Sequence, residues 1–414
     1  MPAVSDLAVS AQAAVPHDVA PQAVASSDRA PTRLERPWRR AWLVGLSTWA
    51  VSVATYALSN VVFWTVNTQP APPLRGLIDV WFRYDTEHYI GIAEQGYTAS
   101  SAAFFPLYPL LMAIVDPVLP GGMLVSGLFV ASIGCVVALA FIYRLVEDLF
   151  DSGVSQRTVL YLMAFPFAFY LVAAYNESLF LALAAGSLYC MRRGQWWYAG
   201  ALAGLASATR YFGVLLGLAF VIEYLRQRDW RWRGVRLDAL SVLLVPAGLV
   251  AFMIYSARAF GDPLLFAHRQ QTGWGHQLSP PWRGITDTIG QIGTWSQQSP
   301  LNAYAVLNLI DLVAVLVAIA LLVMSVVGPW RLGPGSWYLV AFGGAALFMA
   351  MLSPMVTGLP PLHGLPRYAL EILPIFIVLG RIGARRGFER AYLFPAIALQ
   401  TALLIAFFAN VYVS

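Results

Sequence analysis

The sequence contains no lysine, only two cysteines, and little charge of either sign. Charged residues make up 11% of the 414 positions, less than half the share of about a quarter found in soluble domains. That is too little to cover a soluble surface of this size. Strongly charged, low-hydrophobicity disorder is excluded on the same ground, since 59% of the residues are apolar. Two cysteines, Cys135 and Cys190, both inside apolar runs, cannot build a disulfide scaffold and read as inert buried thiols. No internal repeat is visible, which argues against a transporter built from related halves.

What is present is a mean hydropathy of +0.65 and a formal net charge of +5, with every basic residue an arginine. In a chain this apolar, a basic excess reports orientation in a bilayer, not nucleic-acid binding. Residues 1–40 are rich in Ala, Pro and Ser and hold no apolar stretch of signal-peptide length; they are expected to form a disordered cytoplasmic tail. Residues 41–414 are expected to be a single polytopic domain. Apolar runs at 41–66, 122–143, 158–176, 178–191, 194–209, 211–222, 239–257, 312–330, 336–356, 367–380 and 391–411 predict eleven transmembrane helices. The shorter central runs must be tilted, re-entrant or shielded by neighbours. With the N-terminus in the cytoplasm, nineteen arginines fall in inner segments and seven in outer ones, alternating loop by loop. The C-terminus is then extracytoplasmic. The expected fold class is an all-α integral membrane bundle. Two outer loops, about 67–121 and 259–303, are long enough to assemble a site at the membrane face.

The first outer loop reads DVWFRYDTEHYIGIAEQGYTASSAAFFPLYPLL. Asp79, Asp85, Glu87 and Glu94 crowd it, opposed nearby only by Arg75 and Arg83. Ile90, Ile92 and Ala93 alternate with polar residues on a short interfacial helix that Gly96 ends. On that helix Asp85, His88 and Tyr89 share one face. Asp85 and Glu87 converge only if the helix begins after Asp85. Trp81, Phe82, Tyr84 and Tyr89 hold Asp85 at headgroup depth, where a partly desolvated carboxylate is a better base.

These residues carry a resemblance. Aromatic-Asp85-x-x-His88-Tyr89-x-x-Ile92-Ala93-x-x-Gly96-Tyr97, followed by Phe104-Phe105-Pro106-Leu107-Tyr108-Pro109, resembles the first luminal loop of the PIG-V family of mannosyltransferases, within the GT-C superfamily. Tyr175-Asn176-Glu177-Ser178-Leu179-Phe180, Ala206-x-Ala208-Thr209-Arg210 with Gly213, and Pro366-Arg367-Tyr368 with Pro374 are similar to later segments of that family. Tyr84 stands where the family usually has tryptophan.

The resemblance implies a GT-C-like fold and a mannosyl transfer from a polyprenyl-phosphate donor to a lipid, glycan or protein hydroxyl. A β-linked donor would give an α-linkage by inversion. Asp85 is then the general base, and Glu87 completes an Asp-x-Glu pattern that orients the acceptor or binds a cation. Two acids with His88 are a weak metal signal, so no metal cofactor is assigned. Arg210, otherwise uncharged in its surroundings, either binds phosphate or pairs with Glu177. Arg367 and Glu371, spaced i, i+4, either form an intrahelical ion pair or leave Arg367 and Tyr368 for the donor, with His363 nearby. His88, Tyr89 and Glu177 are expected in supporting or acceptor roles. His268, Arg269 and His276 read as exposed loop residues. The competing readings are a lipid or sugar transporter or flippase, and a non-catalytic subunit of a glycosylation complex. A scaffold would tolerate loss of the Asp85 charge; the enzyme would not.

Overall fold

The structure, a computed structural model, describes residues 37–67, 75–298, 303–356 and 360–413. Among them the chain is helical, and its one β pairing is an isolated bridge between His276 and Met355. The first helix, Pro37–Asn67, takes in the last four residues of the expected N-terminal tail. Proline suits its first position, because the N–H it lacks would be unpaired there. The rest of the expected tail lies outside the described residues.

Five helices are long and apolar enough to cross a membrane alone: Pro37–Val66, Met123–Leu149, Ala303–Val326, Pro334–Met351 and Phe388–Phe408. A sixth span results if Leu237–Leu244 and Ala247–Phe260, bent by 43° at Val245–Pro246, cross together. Eleven uninterrupted spans are therefore not found among the described residues. The central runs are instead broken helices: Ser152–Met163, Glu177–Arg192, Trp196–Ser207, Leu216–Arg226 and Leu373–Ile382. Irregular backbone joins them at Ala164–Asn176 and Ala208–Leu215 and is largely buried. Non-helical backbone at this depth is tolerated only where protein shields it. Apolarity marked these runs as transmembrane helices, but it does not report helix breaks.

The core lies where Met123–Leu149 packs on Glu177–Arg192. Gly134 permits this: a Cβ there would lie 2.9 Å from the Leu179 backbone nitrogen. Small residues at helix crossings let backbones approach in this way. The first outer loop carries the expected short helices, Asp85–Gln95 and Leu107–Val115 among them. The second, expected as loop, contains Leu265–Trp274 and Arg283–Gln298.

Candidate active site

The four segments that carried the resemblance meet at one end of the bundle. Asp85 opens its helix after Tyr84, whose φ of 50° lies in the left-handed region. A tyrosine in that region is strained and persists only where its surroundings hold it. The ring packs on Phe407 at 5.9 Å and on Tyr412 at 4.7 Å between centroids. Burial raises the Tyr84 hydroxyl to about 12.

Glu177 begins the helix after the irregular 164–176 stretch, and Arg210 sits in the turn after Trp196–Ser207. The Asn176 side chain donates to the Thr209 carbonyl at 2.8 Å and ties these two turns together. Leu107 N–H donates to the Ala208 carbonyl at 3.0 Å, pinning the first outer loop to the same place. Gly213 lets the Tyr211–Leu215 turn lie directly on Ala206 and Ser207; a Cβ there would collide with their backbone.

The charges form one chain. Arg367 Nη1 donates to Asp85 Oδ2 at 2.9 Å, and its Nε lies 3.1 Å from Glu177 Oε1. The same Glu177 oxygen takes Arg210 Nη1 at 3.1 Å, and Arg210 Nη1 lies 2.8 Å from Glu371 Oε1. Three carboxyl groups, those of Asp85, Glu177 and Glu371, face two guanidiniums. Glu177, Arg210, Arg367 and Glu371 are buried, while the Asp85 side chain keeps 19% of its surface accessible. The Tyr368 ring lies 4.7 Å from the Arg210 guanidinium and 5.8 Å from that of Arg367.

Two cavities share the wall made by Asp85, Arg367, Tyr368, Phe104 and Gln270. The larger, about 350 Å³, is further lined by His88, Trp274, His276, His363 and Tyr412. The smaller, about 70 Å³, reaches Tyr89, Glu177 and Arg210. His88 stacks on Phe104 at 4.5 Å, and Tyr89 meets the same ring edge-on at 5.2 Å. His363 stacks on Tyr412 at 3.9 Å. Burial first, then the Arg367 charge, lowers His363 to about 3, so its imidazole is neutral near pH 7. Burial also lowers His276, whose Nδ1 lies 2.6 Å from the Ser353 carbonyl. A carbonyl only accepts, so Nδ1 carries the hydrogen and Nε2 is left as an acceptor.

Several expectations need correction. Glu87 is exposed and lines neither cavity. The helix begins at Asp85, not after it, so residues two apart point to different sides and the Asp-x-Glu pair does not converge. Arg367 and Glu371 do not pair with each other. The helix Leu365–Tyr368 tightens to a 3₁₀ turn over Ala369–Glu371, which removes the i, i+4 alignment. Of the two readings for Arg210, the structure has the ion pair with Glu177, and adds Glu371. His276 is not an exposed loop residue. His268 does lie outside the cavities, 2.6 Å from Asp262. Gln270 and Tyr412 were not expected at all. Gly275, left-handed at φ 69°, turns the chain between Trp274 and His276 and was the one local sign of a built loop there.

The family model for dolichyl-phosphate-mannose-protein mannosyltransferase matches residues 103–260. A GPI mannosyltransferase 2 from Yarrowia lipolytica is 32% identical over 99 residues, covering 24% of this chain and 28% of that protein. The GPI alpha-1,6-mannosyltransferase 2 of Rattus norvegicus is 28% identical over 239 residues, 48% of this chain and 47% of that protein. The Mus musculus counterpart is 29% identical over 245 residues, 50% of this chain and 49% of that protein. The chain thus spans half or less of the length of these relatives. Among solved structures, ArnT from Cupriavidus metallidurans bound to undecaprenyl phosphate aligns with a TM-score of 0.48 at 15% identity, over 88% of this chain and 76% of that one. The Archaeoglobus fulgidus oligosaccharyltransferase, in complex with Zn and sulfate, aligns with a TM-score of 0.39 over 86% and 53%. In sequence, this polytopic helical chain is similar to membrane mannosyltransferases of the GPI mannosyltransferase 2 type, the resemblance that its first-loop motif carries.

Proposed function

We propose that this chain is a membrane mannosyltransferase that moves a mannosyl group from a polyprenyl-phosphate carrier to a hydroxyl acceptor. The reaction takes place at the extracytoplasmic face, with the N-terminal end of Pro37–Asn67 on the cytoplasmic side. The acceptor is a lipid, glycan or protein hydroxyl. In this reading the acceptor oxygen bonds to the anomeric carbon while the bond from that carbon to the phosphate oxygen breaks. The acceptor proton passes to Asp85. The bonding pair leaves with the phosphate, whose charge Arg367 meets. Arg367 is buried, and the rings of Phe104, Trp274 and Tyr412 line the cavity beside Asp85, which limits the water able to intercept the sugar.

The observation that carries the reading is the position of Asp85. It is the carboxylate common to both cavities, and Arg367, the guanidinium common to both, holds one of its oxygens. A base and a phosphate ligand therefore stand side by side at the end of the bundle where the outer loops converge. Glu177 and Arg210, buried behind them, position Arg367. His363 and His276, neutral near pH 7, serve as hydrogen-bonding walls for sugar hydroxyls. Trp274 offers an aromatic face to the larger cavity.

The test is transfer by the purified full chain, supplied with polyprenyl-phosphate mannose or its glucose analogue and a membrane-lipid extract. Asp85→Asn keeps the shape, keeps an oxygen for Arg367 and removes the base. General-base loss predicts a fall of about 10²–10⁴-fold in turnover, with normal insertion and abundance. Turnover within a few-fold of the parent would remove Asp85 from that role.

A further inference from the structure

A second cavity, about 600 Å³, lies between Ala303–Val326, Leu373–Ile382 and the first half of Phe388–Phe408. It is distinct from the site around Asp85. Phe407 packs under Tyr84 at the site, whereas Phe388 lines the second cavity. Nineteen residues of one helix separate them, about 30 Å at 1.5 Å per residue. The walls are apolar. Tyr392, the one lining residue with a hydroxyl, turns it away to the Tyr161 carbonyl at 3.0 Å. Pro395 adds no N–H to the wall. Leu309, Val313 and Val317 line the cavity while 50%, 51% and 49% exposed, so it opens sideways between the helices.

Its end carries charge of one sign. The turn from Ile382 to Phe388 leaves the cavity wall and returns to it, and that turn with the next residues bears Arg385, Arg386 and Arg390, all exposed. Arg385 stacks over Trp330 at 4.5 Å. Among the described residues none of the three is in an ion pair, and Glu389 is the sole acid between Arg381 and Arg390. A dry slot open to the hydrocarbon layer, with free guanidiniums at its headgroup end, has the shape and charge of a lipid anchor.

We propose that this cavity binds one anionic phospholipid from the leaflet at the arginine end. An acyl chain fills the slot, and the phosphate sits against Arg386 and Arg390. A carrier lipid is the poorer occupant, because its phosphate would stand about 30 Å from Asp85. The bound phospholipid wedges the Phe388–Phe408 helix against Ala303–Val326 and so supports the helix end that seats Tyr84.

The experiment is native mass spectrometry of the full chain in detergent, titrated with phosphatidylglycerol and separately with phosphatidylcholine. The parent is expected to retain phosphatidylglycerol at least tenfold more tightly. Arg386→Gln with Arg390→Gln brings the two lipids to within about twofold. Ala314→Phe fills the slot and removes the retained lipid, while Asp85→Asn leaves it in place. Equal retention of the two lipids by the parent, an unchanged preference in the arginine variant, or an unchanged lipid count in Ala314→Phe overturns the proposal. Displacement of phosphatidylglycerol by equimolar undecaprenyl phosphate also overturns it and assigns the slot to the carrier. None of these readouts depends on sugar transfer.

Discussion

Replacing Glu177 with glutamine probes the charge chain where it is most buried. One carboxylate oxygen of Glu177 lies 3.1 Å from both Arg210 and Arg367, and its side chain keeps 1% of its surface accessible. Glutamine preserves the size and one oxygen. It removes the charge that faces two buried guanidiniums. Arg367 then keeps Asp85, and Arg210 keeps Glu371. Three carboxyl groups facing two guanidiniums become two. Each guanidinium loses a partner inside protein, and breaking one side of a buried ion pair costs about 3–5 kcal/mol. The amide oxygen and the two remaining pairs place the expected loss at the lower end, about 3 kcal/mol. In detergent or nanodiscs the unfolding midpoint should fall by roughly 5 °C or more, using about 2 °C per kcal/mol. Asp85→Asn, at a side chain with more solvent access and a single ionic partner, should shift the midpoint by less than half as much. The pair of variants separates support from chemistry. Glu177→Gln loses stability and activity together, whereas Asp85→Asn loses activity with little stability. An unfolding midpoint for Glu177→Gln within 1 °C of the parent would refute the argument. Glu177 would then not be an ionised bridge between the arginines.

Two further outcomes follow from the same geometry. Gly213→Ala forces a methyl group into the backbone of Ala206 and Ser207. It should destabilise by about 1–3 kcal/mol and reduce transfer by displacing Arg210; parental melting with parental activity would show that the turn can yield. His363 titrates near pH 6.5 when unfolded but is held to about 3 in the fold. Between those values the unfolded chain holds a proton that the folded chain does not, so stability falls as pH drops below about 6.5. His276 is shifted the same way and adds to the slope. His363→Asn should flatten the dependence of the melting midpoint between pH 7 and 4.5, and an unchanged slope in that variant would contradict the assignment.

Much of the architecture was legible locally. Hydropathy and the scarcity of charge depend on composition and span length alone, and they sufficed for an all-helical membrane chain with a long loop after its first span. The interfacial helix from Asp85 to Gln95 could be read from Ile90, Ile92 and the stop at Gly96. Helix breaks were not legible, because buried irregular backbone and buried helix have the same apolar composition. Nor was the start of that helix, on which the fate of Glu87 turned: one residue of difference decides whether two acids converge.

The sequence by itself determined that the chain enters a bilayer, that its first long loop is aromatic and acidic, and that Asp85 is set in that loop among rings. Only the tertiary structure decided which cation answers it. Arg367 lies 282 positions away and had an acid four residues ahead of it, yet a 3₁₀ turn sent Glu371 to Arg210 instead. Spacing along a chain constrains neighbours on one helix. Ion pairs between helices depend on where the backbone bends, and that follows from packing of the whole bundle.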